Sequence, residues 1–215
     1  MFSNIQNRGV QHLVHFTRIR NLPGILRYGL LSRQELTSRE IDHAINDLYR
    51  FDFLPAICLS VSFPNYKMFY RLRMDHPEED WAVLRLKPEL IDQKRCVFSH
   101  ANAAKRELAN SPLEPRMTPE ALRGMFDDHD GMPARSSLNI PDHFTTNPQA
   151  EILVLDPIEP SYITDVIVDA KERIKNYGAI LALAKEHNGS PQFLHGKPLF
   201  DARLDFAHWR AVQNG

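Results

Sequence analysis

Ala150-Glu151-Ile152-Leu153-Val154-Leu155 is the stretch on which the reading of this chain turns. Its apolar run, stopped by Asp156-Pro157, has the length and residue types of a buried strand. A glutamate stands at its mouth, directly behind a long segment of little regular pattern. Residues two apart on a strand share a face, so Gln149 and Glu151 are expected to project together. A carboxylate beside an amide suits glycosyl chemistry. It can hold a ribose hydroxyl, stabilise an oxocarbenium-like transition state and take a proton from the nucleophile. A solvated strand-edge glutamate is the plainer alternative.

Working outward, residues 110–146 carry five prolines and few apolar clusters, the mark of a functional or loosely structured loop. Strands are predicted over 56–63, 81–86, 96–98 and 163–168, where β-branched and aromatic residues gather between turn signals. Residues 11–16 form a further short strand. After it, Leu22, Ile25 and Leu26 have helical spacing, with Gly29 at the stop position. Thr37-Ser38-Arg39-Glu40 reads as a helix start inside the polar stretch 32–49. Helices are also predicted over 66–74 and 171–187, and 193–209 packs back as a strand and tail. Strands in the middle flanked by helices give an α+β class, in one domain over residues 1–215.

Composition narrows the function. A net charge of −1 argues against a coat of positive charge for duplex DNA, yet Lys67, Arg71, Arg73, Arg85, Lys87, Lys94, Arg95, Lys105 and Arg106 leave room for a local basic groove. The two cysteines, Cys58 and Cys96, sit in apolar runs and build no disulfide framework. With no signal pattern and no membrane-length apolar run, the expectation is a cytoplasmic protein. The ten histidines lack HExxH or paired spacing, so no catalytic metal is expected. Dinucleotide-fold, P-loop and nucleophile-elbow glycine motifs are absent from the sequence.

Other residues carry weaker signals. His15 and Thr17 share a strand face and can bond a ribose or an amide, or be a buried histidine beside a helix cap. Ser60 and Ser62 set two hydroxyls on one face of a strand, for binding or for packing. Tyr66, Phe69 and Tyr70 could stack on a planar ring, or form core. Arg50 could clamp a phosphate through its planar fork.

In their order along the chain, these pieces resemble a known family. Val14-His15-Phe16-Thr17 with Arg18-Ile19-Arg20-Asn21-Leu22-Pro23-Gly24-Ile25-Leu26, then 57–70, 98–104 and 147–155, resemble the ADP-ribosyltransferases, and within them the DarT family of DNA-modifying toxins. The resemblance implies a split, mixed β-sheet core with helices at its flanks, and NAD as co-substrate. It implies NAD contacts at His15, Thr17, Asn21 and Ser60, with Tyr70 a further contact. Glu151 takes the part of the catalytic glutamate and Arg50 that of the active-site arginine. The loop 135–148 would present the substrate base, with His143, Asn147 and Gln149 as substrate-binding side chains.

Leu59-Ser60-Val61-Ser62-Phe63-Pro64-Asn65-Tyr66-Lys67-Met68-Phe69-Tyr70 departs from the thymidine-modifying branch and is more like the guanosine-modifying one. The implied acceptor is therefore guanine in single-stranded DNA, and the implied partner an antitoxin ADP-ribosylglycohydrolase encoded nearby. Rival readings keep the fold with thymidine, RNA, protein or water as acceptor, or make the chain a non-catalytic nucleotide-binding or nucleic-acid-binding module.

Overall fold

The computed structural model describes residues 1–45, 55–103, 111–170, 178–180, 182 and 191–211. Seven strands form one sheet: β1 (Leu13–Arg18), β2 (Ile57–Val61), β3 (Trp81–Leu86), β4 (Cys96–Ser99), β5 (Glu151–Val154), β6 (Ile163–Val168) and β7 (Gln192–His195). Their spatial order is β4-β5-β2-β1-β3-β6-β7. Neighbours are antiparallel except β6 and β7, which makes the sheet mixed. Helices α1 (Ser3–Gln6), α2 (Leu22–Tyr28), α3 (Arg33–Ser38), α4 (Tyr66–Asp75) and α5 (Leu90–Gln93) flank it. The architecture is the expected α+β one.

Strand alternation divides the core. Leu13, Leu59, Leu84, Leu86, Ile152, Val154 and Val166 face one side and join α1, α2 and the Pro119–Gly124 helix in a continuous cluster. The opposite side carries two separate clusters. One packs α4, through Phe69 and Leu72, against Val14, Trp81, Val83 and Ile167. The other joins Ala56, Val97, Ala103 and Leu153, with Cys58 against it. The gap between them falls where β1 meets β2.

Several expectations shift. Helix α3 starts earlier than the Thr37 signal, because Ser32 caps it: the Ser32 hydroxyl accepts from Glu35 N (3.3 Å) and the Glu35 carboxylate accepts from Ser32 N (3.1 Å). Thr37 and Ser38 close the helix instead. Gly29 ends α2 at φ 83°, and a Cβ there would stand 2.0 Å from the Ile158 carbonyl, so only glycine lets Leu30 bridge to Ile158. The irregular stretch carries the short helices Pro119–Gly124 and Arg135–Leu138, and the tail ends in a helix, Phe206–Ala211. Most of the predicted 171–187 helix lies outside the described residues. Among the described residues no helix is long and apolar enough to cross a membrane.

Among the described residues of the basic stretch, four are engaged in two separate places. Lys94 and Arg95 pair with Glu159 and Asp156 beside β4, while Lys67 and Arg73 of α4 reach the Trp209 and Phe200 carbonyls. Lys105 and Arg106 lie outside the described residues.

Candidate active site

β1 pairs with β3 along its whole length but with β2 only at Leu13–Val61 and Val14–Ser60. Beyond that point the two strands part. His15 spans the opening: its Nδ1 contacts the Cys58 carbonyl at 2.9 Å. A carbonyl only accepts, so Nδ1 carries the proton, and in the neutral ring Nε2 is the acceptor nitrogen.

A cleft opens at this split, lined by β1, α2, α3, the 41–45 segment, β2 and the mouth of β5. It gathers His15, Thr17, Asn21, Ser60 and Glu151, five of the residues singled out from sequence. Its described walls are mainly apolar, with Ile25, Leu36, Ile57 and Met68 among them, a usual composition for a small-molecule site.

Glu151 is 7% exposed, and its Oε2 accepts from Ala103 N at 2.9 Å. A backbone donor to a buried carboxylate compensates part of the cost of removing its charge from water. The position follows from local structure. Ser99 and Glu151 are register partners, and β4 runs on into the 100–103 turn whose amide reaches back to the carboxylate.

Thr17 and Asn21 are tied to each other. Asn21 Nδ2 donates to Thr17 Oγ1 (3.1 Å) and to the Ala44 carbonyl (2.9 Å), and its Oδ1 accepts from Ala44 N (2.7 Å). Both amide hydrogens are thus spent on holding the 41–45 wall to β1. Ser60 reaches the cleft from β2, but Ser62 does not share its face. The strand ends at Val61, and Ser62 takes φ 61°.

Four other expected residues lie elsewhere. Gln149 sits in the turn before β5, so strand alternation does not pair it with Glu151; its N donates to Asn147 Oδ1 (2.9 Å). Asn147 is buried and organises that turn, its carbonyl accepting from Thr145 Oγ1 (2.9 Å) and Ala150 N (3.1 Å). His143 meets the Phe144 ring edge-on at 4.7 Å and is not part of the cleft wall. Tyr70 is 58% exposed on α4 and also off the wall, while Tyr66 and Phe69 are buried core. Arg50 lies outside the described residues.

Sequence reasoning passed over two cleft residues, Arg33 and Asn65. Arg33, at the first position of α3, is the one guanidinium among the described lining residues. The Ser32–Glu35 capping box was the signal that could have found it. Asn65 caps α4 by accepting from Met68 N (3.3 Å); its buried Nδ2 has no hydrogen-bond partner among the described residues. Asn102, readable from sequence as a helix cap near the site, does line the cleft. A buried carboxylate, an imidazole of fixed tautomer, a hydroxyl, an orphan amide donor and a guanidinium in one apolar cleft can hold a polar, phosphate-bearing nucleotide and support proton transfer. Among the described residues no group of three or more His, Cys, Asp or Glu could hold a metal ion.

The family model of DarT, described as ssDNA thymidine ADP-ribosyltransferase, matches residues 61–195. No curated protein matches the sequence. Thermus sp. 2.9 DarT in complex with NAD+ superposes with a TM-score of 0.60 at 17% identity, over 89% of this chain and 98% of that one. The same Thermus protein in complex with ADP-ribosylated ssDNA gives 0.59 at 16% identity, over 90% and 97%. Thermosipho africanus DarTG in complex with ADP-ribose gives 0.59 at 20% identity over 88% of this chain, which spans about half (51%) of that longer one. At such identities these superpositions establish a shared fold, a mixed seven-stranded sheet with flanking helices.

Proposed function

The chain belongs to the DarT family, and from that premise we propose that it is an NAD-dependent ADP-ribosyltransferase acting on single-stranded DNA, with Glu151 as the catalytic carboxylate. One observation carries the reading: a buried carboxylate, held by a backbone N–H, stands on the wall of the cleft at the sheet's split. NAD is the co-substrate that such a cleft suits in this family. Arg33 meets the pyrophosphate, and Asn65 supplies its unused N–H to a ribose or carboxamide oxygen. His15 and Ser60 hold the nicotinamide ribose. Thr17 and Asn21 act one step back, as positioning residues for the 41–45 wall. Arg50 remains the expected further arginine.

Glu151 stabilises the positive charge that develops on the ribose as nicotinamide leaves with the bonding electron pair. It then takes the proton from the base nitrogen that bonds to the anomeric carbon. The loop 135–148 presents that base, with His143 and Gln149 at its accessible side. A base must be out of a stacked, paired duplex to be reached, so single strands are the substrate. The acceptor is guanine, on the residue pattern of 59–70; the thymidine in the family's description is the second reading. An enzyme of this kind is a toxin to its own host, and its partner is an ADP-ribosylglycohydrolase that cleaves the same glycosidic bond.

Incubating the protein with NAD labelled in the ADP-ribose, and separately with single-stranded DNA, duplex DNA, RNA and protein, tests this. Label is expected in the single-stranded DNA, on guanine. Label on thymine would reassign the base alone. Label confined to protein, RNA or free ADP-ribose would overturn the proposal.

A further inference from the structure

A buried ion pair in the C-terminal segment plays no part in the cleft. Arg203 and Asp205 are 2% and 1% exposed, whereas Leu204 between them is 83% exposed. This segment turns its charges inward and its leucine outward. Burying charge is costly unless the donors and acceptors are used. Here they are: Arg203 Nε donates to Asp205 Oδ1 (2.9 Å), and Trp209 Nε1 donates to Asp205 Oδ2 (2.8 Å). The rest of the guanidinium reaches the loop ahead of Glu151, donating to the Thr145 (2.9 Å) and Thr146 (3.1 Å) carbonyls.

A second guanidinium holds the same loop. Arg135 donates to the Phe144 carbonyl (2.8 Å) and to the Pro141 and Asp142 carbonyls (3.1 Å each). The Phe144 ring stands 5.4 Å from the Arg203 guanidinium and meets Phe63, beyond β2, edge-on at 5.4 Å. The carbonyls of 141, 142, 144, 145 and 146 therefore all end on two forks, one from the start of the 135–148 loop and one from the C-terminal segment. The chain then passes through the Asn147 turn into Glu151. Neither arginine lines the cleft, and Arg203 lies beyond the residues matched by the family model.

We propose that Arg203, locked by Asp205 and Trp209, is a positioning residue for the acceptor side of the reaction. With Arg135 it fixes the loop 141–147 relative to Glu151, and it takes no part in binding NAD. The inference rests on the proposed reading, in which that loop presents the base. A fork is required because the four bonds run from three separate nitrogens, and a lysine, with three donors on one atom of a flexible stem, cannot reproduce them.

The test is Arg203→Lys in the full chain. NAD affinity and nicotinamide release to water are expected to stay within about twofold of the parent. Transfer to a single-stranded oligonucleotide is expected to fall on the order of tenfold to a hundredfold, the effect of a misplaced reacting group. Amide hydrogen exchange at 143–147 should quicken while β3 and β6 stay protected. Unchanged transfer, unchanged exchange, or NAD binding, water cleavage and transfer falling in proportion would each overturn the proposal. Should that variant fail to fold, Arg135→Lys, at a half-buried side chain, must show the same split. A parent protein that leaves single-stranded DNA unmodified would instead sink the functional reading, and the exchange experiment would still decide whether Arg203 braces the loop.

Discussion

Along one edge β1 pairs with β3 at all six of its residues, whereas along the other it meets β2 at two. The β3 side satisfies its backbone groups in the ladder and carries fully buried Val83 and Leu84. On the β2 side the ladder is given up, and a side chain takes over: His15 reaches the Cys58 carbonyl across the gap. The closed edge holds the sheet together. The open edge makes the cleft, in which polar groups are set by side-chain contacts rather than by the sheet's own hydrogen bonds.

The sharpest way to break this contrast is Glu151→Gln. It keeps the shape and the Ala103 contact but removes the charge, so transfer is expected to fall on the order of a hundredfold to a thousandfold or more, with an unchanged thermal melt. Next comes His15→Ala, which removes the bridge across the open edge. A drop of about tenfold to a hundredfold in kcat/KM for NAD is expected, measured as nicotinamide release, with little loss of stability.

The closed edge should behave in the opposite way. Leu84→Ala is expected to cost about 2–5 kcal/mol of stability in denaturant titration, while the folded fraction retains its kinetics. A loss of activity at constant stability there would erase the distinction between the edges. The smallest effect is chemical. Cys58 lines the cleft, whereas Cys96 is buried with its thiol pushed up to about 12 by desolvation. Iodoacetamide should label Cys58 before Cys96, and NAD should slow it; labelling in the reverse order would contradict this view of the open edge.

Strands were legible wherever an apolar run stood between turn signals. β3 falls on the predicted 81–86, and β5 and β6 fall within or on their runs. Helix α3 was not legible. Ser32-x-x-Glu35 and Thr37-x-x-Glu40 are equivalent capping boxes locally, and the fold uses the first, with Glu40 at φ 54° past the helix end. Gln149 was placed on the face of Glu151 by carrying strand alternation one residue back past Ala150, whereas the turn signalled by Asn147-Pro148 includes Gln149 and the strand starts at Glu151. Tyr70 belongs to the same aromatic group as Tyr66 and Phe69, but one more residue around the helix turns it to water.

Of the site, His15, Thr17, Asn21, Ser60 and Glu151 could be named in advance because a family pattern orders them along the chain. Their meeting in one cleft depends on where β1 and β2 part, which no local signal marks. Arg203 was illegible for a different reason: its partners Thr145 and Thr146 lie more than fifty residues upstream. A charged residue in a polar tail reads as a solvated one until its partners are seen.

In the proposed reaction Glu151, at the open edge of β1, drives transfer of ADP-ribose to a DNA base. Mass spectrometry of a short single-stranded oligonucleotide, after incubation with NAD and either the parent chain or Glu151→Gln, tests it most directly. One ADP-ribose adduct on a base is expected with the parent chain, and none with the variant. An oligonucleotide left unmodified by the parent, or modified equally by both, would contradict it.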